Sequence, residues 1–367
     1  MDLPAPLAWL VDEACASPGA DRFLAELGGQ LLADGLPLAG GALTLAVPHP
    51  IIARRTWLWR AETGAVIEAL DFASMGAVGP GDGPEQGKVG RDWLAGLGTG
   101  LVQEDVAGPA ADASGGPVLA WAVSRPLAER ESALLRQAAR FAAAPLAGLS
   151  WRATLAALLE AYVGRRGAAQ VLAGRSRRET GEIIRAVLLF GDLRGFTELS
   201  ECMAPEAVVA ALNAWFDRIA GAFHAFGGEV LKFIGDGVLA IFPIGEQPPS
   251  VACDAALRAV GAAQAGMAHL DQARHQQGLP SLHFGLAVHL GEMLWGNVGT
   301  ADRLDFTAIG PAVNLVSRLE GLCRPLGRSV LVTGAVAAET TMALVPLGEH
   351  LLRGIAAPCA VFTLPEE

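Results

Sequence analysis

Lysine is nearly missing from this chain. Of 27 basic residues only Lys88 and Lys232 are lysine, and the rest are arginine. Positive charge is short overall: 38 acidic residues leave a formal net charge of −11. That balance excludes a nucleic-acid groove or an anionic membrane surface as the main partner, since both need a basic face. Small acidic substrates stay allowed, because a few placed cations and a metal can hold a phosphate. Cysteine is also scarce. Cys15, Cys202, Cys253, Cys323 and Cys359 are scattered and odd in number, with no CxxC pair, so neither a disulfide framework nor a zinc site is expected. The N-terminal stretch carries acids where a signal peptide needs bases. No long apolar run is free of charge; the nearest, Ser329–Gly348, contains Glu339, so no membrane span is expected. These absences together point to a soluble protein of a reducing cytoplasm.

What is present is ample core material. The chain is 52% hydrophobic over 367 residues, enough for about two domains at roughly 100–200 residues each. Alanine, glycine and arginine dominate, as expected of a GC-rich genome drifting away from lysine codons. A lysine that survives such drift is a candidate for chemistry.

Residues 1–125 read as one mixed domain. Ala20–Leu32 has helical spacing, and Ala42–Val47, Arg55–Arg60, Val66–Leu70 and Val118–Val123 read as strands. Ala61–Gly64 is a turn, and the Gly- and Pro-rich Ser74–Gly90 a loop. The order resembles a small α/β sensor module of the GAF type, and the resemblance rests on order alone. Trp57, Trp59, Trp93 and Trp121 are either core or the lining of a sensor pocket. Residues 126–178 form a helical linker, with helices expected over Leu127–Ala144 and Ser150–Val163. Two readings stay open for it: packing on the first domain, or a dimeric signalling helix.

Residues 179–367 change pattern. Ala186–Phe190 is a continuous apolar run, expected as a buried strand. Pro205–Phe226 is a helix with Val208, Val209, Leu212, Phe216, Ile219 and Phe223 on one face. Glu229–Ile234 and Val238–Phe242 flank Gly235-Asp236-Gly237, a hairpin. A second helix covers Val251–Gln277, a second hairpin is expected around Gly291-Glu292, and a strand over Ser329–Val332. The fold class is α/β (α+β), with a ferredoxin-like βαββαβ core.

Asp192 follows the buried strand, and Asp236 sits in the neighbouring hairpin. Each alone is an ordinary turn or cap residue. Together they leave adjacent strands at one edge, a hard-oxygen pair suited to Mg²⁺ and substrate phosphates. Gly195 lets the backbone turn, and Thr197 is expected to cap a helix whose first N–H groups take phosphate oxygens.

Three segments make the reading specific: AVLLFGDLRGFTELSE (186–201), GGEVLKFIGDGVLAIF (227–242) and FTAIGPAVNLVSRLE (306–320). In this order they resemble the class III nucleotidyl cyclase catalytic domain. The resemblance implies that Asp192 and Asp236, with Leu193, hold two Mg²⁺ or Mn²⁺ ions. It implies that Gly195, Phe196 and Thr197 touch the substrate phosphates. Asn314 and Arg318, at i and i+4 of one helix, match the pair that orients the ribose and meets the α-phosphate. Arg353 stands where the family usually has a lysine for the terminal phosphates. Lys232 matches the adenine reader and Thr307 its helper. A lysine donates to adenine N1, whereas guanine presents a donor there and calls for a glutamate. Arg303 is a further phosphate candidate. Threonine at 307 resembles the subgroup that includes bicarbonate-responsive cyclases, and that response is left open.

The resemblance thus implies an adenylate cyclase acting on ATP. It implies a homodimer, with metal aspartates from one protomer facing base-reading and transition-state residues from the other. A guanylate cyclase and a catalytically silent nucleotide-binding module are the alternatives.

Overall fold

A computed structural model of the chain describes residues 3–46, 52–72, 87–97, 101–107, 116–175, 181–300 and 302–365. These form two compact units, residues 1–158 and 159–367.

The first unit is an antiparallel sheet between helical layers. Helices α1 (Ala5–Asp12) and α2 (Ala20–Ala33) precede β1 (Leu38–Ala46), β2 (Ile52–Arg60) and β3 (Val66–Phe72). Then come α3 (Lys88–Ala95), β4 (Val102–Val106), β5 (Val118–Val123) and the start of α4 (Glu129–Leu172). The sheet order is β3-β2-β1-β5-β4. Strand alternation sends Leu43, Leu45, Trp59 and Trp121 toward α1, α2 and α4, and Ala42, Leu58 and Ala120 toward α3. Trp59 and Trp121 meet edge to face at 6.4 Å and are core residues. Trp57 lines an open cleft of about 580 Å³ with Arg55 and Arg152, and Trp93 lies under the Arg60 guanidinium.

Two expectations change here. Lys88–Gly90 belong to a helix rather than to a loop, and residues 74–86 of that expected loop lie outside the described residues. The linker is not a separate region. Leu135, Ala138, Ala139, Ala142, Leu146 and Leu149 of α4 are buried in the first unit's core, so packing is the outcome for that stretch. Non-helical backbone at Gly164 (φ 75°) interrupts α4. By length and composition alone, α4 passes as a membrane-spanning candidate.

The second unit is built on one long sheet. Strand β6 (Gly181–Leu193) leads to α5 (Phe196–Cys202), α6 (Pro205–Ala225), β7 (Glu229–Ile234), β8 (Gly237–Pro243) and α7 (Pro249–Gln276). There follow β9 (Phe284–Gly299), β10 (Leu304–Ile309), α8 (Pro311–Glu320), β11 (Val330–Thr333), α9 (Gly334–Ala337), β12 (Val345–His350) and β13 (Cys359–Thr363). The sheet order β12-β13-β11-β9-β6-β8-β7 contains β9-β6-β8-β7, which is the ferredoxin-like arrangement of the βαββαβ core. The expected apolar run 186–190 is buried on both faces. Val187 and Leu189 pack with α6 and α7, while Ala186 and Leu188 pack with α8. That sandwich explains why no polar alternation was visible.

The α6 face is rotated from the one expected. Ala211, Trp215, Ile219 and Phe223 are buried, and Val209 is exposed. The hairpin expected at Gly291-Glu292 does not exist. Strand β9 runs straight through it, with Ala186 opposite Gly291, and its hairpin partner is β10. Gly291 serves a close approach instead, since a Cβ there would lie 2.7 Å from that of Ala312 in α8.

Candidate active site

The carboxylates come first because the sheet delivers them. Even-numbered residues of β6 face α8, and Asp192 continues that series at the strand's end, opposite Gly285 of β9. The β7–β8 hairpin places Asp236 beside it, and the Trp215 indole N–H donates to the Asp236 carbonyl at 3.0 Å. Burial, then the adjacent Asp236 carboxylate and the charge of Glu320, push the Asp192 carboxyl up to about 7. Its Oδ1 is buried with no hydrogen-bond partner.

Glu320, the last residue of α8, was not anticipated from sequence. Its carboxyl is raised by burial, eased by the Arg194 guanidinium and raised further by Asp236. A Cβ on Gly285 would collide with the Glu320 carboxylate at 2.2 Å, so glycine at that rung makes room for it. Arg194 is tied down through a hydrogen bond to the Arg328 carbonyl.

This corner suits a divalent cation. It holds two converging carboxylates, one orphaned oxygen and a third negative charge nearby, an arrangement that repels itself until a cation enters. Among the described residues no group of three His, Cys, Asp or Glu could hold a metal by itself, so a bound ion would need oxygens from substrate or water as well. Leu193 could contribute only its main-chain carbonyl. Gly195 (φ 71°) is the N-cap of α5, and Thr197 lies within the helix, so Thr197 is not the cap that was expected. A left-handed turn at glycine needs no side-chain cap.

Lys232 lies elsewhere. A register shift between Val230 and Lys232 breaks the β7–β8 pairing just before it, a device that re-aims a side chain. Its ammonium bonds the carboxylate of Asp305 on β10. Thr307, on the same strand, is half-buried opposite Gly296. Between them Phe306 stacks on Trp295 at 6.0 Å. Asp305 is the second residue that the sequence reading missed, although its two-residue offset from Thr307 placed it on the same strand face.

Asn314 and Arg318 share the exposed side of α8, while Ala312, Val316 and Leu319 are buried. Arg353 is exposed between β12 and β13, and Arg303 is exposed before β10. The charges that move Asp192 are Asp236 and Glu320, and the cation answering Glu320 is Arg194. Within one chain Asp192 and Asp236 meet at the end of β6, Lys232 pairs with Asp305 of β10, and Asn314 and Arg318 lie on the exposed side of α8.

A family profile described as the adenylate and guanylate cyclase catalytic domain matches residues 180–362. This part of the chain belongs to that family. Its relatives include an adenylate cyclase of Anabaena cylindrica, 36% identical over 156 residues, which is 41% of this chain and 30% of that protein. Adenylate cyclase 1 of Rhizobium meliloti is 36% identical over 154 residues, 41% of this chain and 23% of that protein. The chain thus spans less than a third of either relative's length. Among solved structures, the adenylyl cyclase CyaB from P. aeruginosa is 26% identical with a TM-score of 0.46, covering 51% of this chain and 97% of that one. These matches leave most of the first unit uncovered, and the GAF-like reading there still stands on element order alone. In the cyclase domain, the carboxylate corner and the α8 pair are the parts with catalytic potential.

Proposed function

We propose that the chain is an adenylate cyclase converting ATP to 3′,5′-cyclic AMP and pyrophosphate. The observation that carries this is the Asp192–Asp236 pair, an ion site in shape and charge at the end of a buried strand. Two divalent ions, Mg²⁺ or Mn²⁺, would supply the positive charge that activates the ribose 3′-hydroxyl and neutralises the triphosphate. The 3′-hydroxyl gives up its proton to solvent, its oxygen bonds to the α-phosphorus, the bond from that phosphorus to the β-phosphate bridging oxygen breaks, and pyrophosphate leaves. Asn314 orients the ribose. Arg318 meets the α-phosphate, where a planar guanidinium matches two oxygens. Arg353 and the N–H groups of Gly195, Phe196 and Thr197 answer the remaining phosphate charge.

Lys232 supports ATP over GTP, since its ammonium donates to adenine N1 and would face a donor on guanine. The exposure of Asn314 and Arg318 on α8 supports a homodimer, with the carboxylates of one protomer serving the base-reading edge and α8 of its partner. Exposed Trp151 (73%), Leu155 and Leu158 repeat at coiled-coil spacing on α4 and add to that reading. The first unit is proposed as a regulatory domain. A cytoplasmic setting supplies ATP and metal and suits five free thiols.

The test is product analysis with ATP and GTP supplied separately, in Mg²⁺ and in Mn²⁺. Cyclic AMP from ATP, with little cyclic GMP from GTP, is the expected result. Equal use of GTP would make the protein a guanylate or mixed cyclase. No product under any condition, from residues 175–367 as well as the full chain, would make it a binding module.

A further inference from the structure

The sheet face that buries Trp59 in the first unit does not stay covered along its length. Trp59 is 3% exposed, whereas Trp57, two residues back on the same face of β2, is only half-buried. There Arg55 and Trp57 of β2 and Glu68 of β3 line the open cleft of about 580 Å³, with Leu149 and Arg152 of α4 beside them. Every lining residue belongs to the first unit, outside the segment that matches the cyclase family. Small-molecule sites span roughly 300–1,000 Å³, so the cleft is large enough for one.

Two guanidinia and two carboxylates line it: Arg55, Arg152, Glu68 and Asp21. Arg55 answers Glu68 at 3.5 Å. Arg152 has no such answer. Its Nε donates to the Gly148 carbonyl at 3.4 Å, and its Nη2 donates to those of Cys15 and Ser17 at 3.3 and 3.2 Å. Among the described residues its Nη1 has no partner, and Asp21 pairs with neither arginine. Main-chain oxygens thus hold the guanidinium at the cleft without cancelling its charge. The same bonds tie α4 to the connector ahead of α2, a structural task that a neutral donor performs as well.

One unanswered cation beside an apolar wall of Leu45, Trp57, Val66 and Leu149 specifies an occupant. A carboxylate accepts from the free Nη1 in a charge-assisted bond. A flat apolar body lies against the Trp57 indole. A phosphate dianion fits worse, because Asp21 and Glu68 on the same lining repel a second negative charge. We propose that this cleft binds a singly charged aryl carboxylate, with Arg152 holding the carboxylate and Trp57 the ring. The inference does not rest on the cyclase reading; it gives the first unit a ligand chemistry of its own.

The experiment is calorimetric titration of the full chain with 2-naphthoate, neutral 2-naphthylmethanol and inorganic phosphate. Wild type should bind one 2-naphthoate per chain with Kd between about 10 μM and 1 mM, at least about tenfold tighter than the alcohol or phosphate. Arg152→Gln keeps an amide donor for the carbonyls but loses the charge. It should weaken 2-naphthoate about tenfold or more and leave the alcohol within about twofold. Trp57→Leu should weaken the acid and the alcohol alike, each by about threefold or more. Melting curves establish that the variants are folded. Arg55→Gln repeats the charge test independently of Arg152: Glu68 then faces the ligand unpaired, and 2-naphthoate should weaken about fivefold. Absence of saturable 2-naphthoate binding up to about 10 mM overturns the proposal. So does equal affinity for acid and alcohol, or tighter binding of phosphate. A 2-naphthoate affinity unchanged in folded Arg152→Gln and Arg55→Gln overturns it too, because the acid then sits elsewhere.

Discussion

The metal corner and the base-reading edge of the cyclase domain are built on opposite electrostatic plans. At the corner, Asp192, Asp236 and Glu320 face one another around a buried oxygen with no partner. At the edge, Lys232 already holds its counter-ion in Asp305. One region stores repulsion that a proton or a bound cation relieves; the other is neutral and preset. On the proposed function, the difference teaches that charge is left unbalanced where an ion enters and balanced where a neutral base is read.

The sharpest way to break this contrast is to empty the corner. Asp192→Ala or Asp236→Ala should lower kcat by about a thousandfold or more, because the ion's charge stabilisation goes with its ligand. The protein should stay folded, and steady-state product assays beside melting curves would show both. At the edge, Lys232→Glu should cost ATP use about a hundredfold in kcat/KM while harming GTP use less. An unchanged ATP preference would remove the base-reading argument.

A smaller effect sharpens the corner's half of the comparison. The Asp192 carboxyl titrates near 7 when folded, against an ordinary value of 3.8. Between those pH values the metal-free native state holds a proton that the unfolded chain has released. Stability without metal should therefore fall as pH rises through that window. Asp192→Asn should flatten that slope and raise the metal-free melting temperature at pH 7 by about 2–4 °C. Added Mg²⁺ should stabilise the wild type and not the variant. A parallel pH slope in both proteins would show that Asp192 is not the stressed group.

The smallest expected effect lies just before the edge. Arg166 makes paired hydrogen bonds of 3.0 and 2.9 Å to Glu229 at the start of β7, and a Cβ on Gly167 would sit 3.2 Å from Phe306 of β10. The segment ahead of the cyclase domain thus braces both strands that carry the base-reading residues. Arg166→Ala should raise KM for ATP by about two- to fivefold with little change in kcat, which titration of initial rates would resolve.

Much of this was legible in sequence where one residue type answered one demand. The run 186–190 had to be a buried strand because both faces are covered. Gly235-Asp236-Gly237 had to turn. Asn314 and Arg318 had to share a helix face at i and i+4. Legibility failed where the reason was tertiary. Gly291 looked like a turn residue, but it is glycine because Ala312 packs against it. Thr197 looked like a cap, but the left-handed Gly195 fills that place. Strand β4 was hidden by its polar sequence, since none of its residues is buried. Glu320 and Asp305 were invisible as site residues because their meaning depends on partners distant in sequence: Gly285 and the aspartates for one, Lys232 for the other.

The central claim is that one protomer's carboxylate corner works with the other protomer's α8 pair. Mixing an Asp192→Ala chain with an Arg318→Ala chain tests it directly, since each variant is inactive alone and only a mixed dimer can assemble one intact site. With random pairing, activity should recover to about a quarter of the wild-type level. Activity that stays at the sum of the two inactive homodimers, in a mixture shown to exchange subunits, would contradict the shared site.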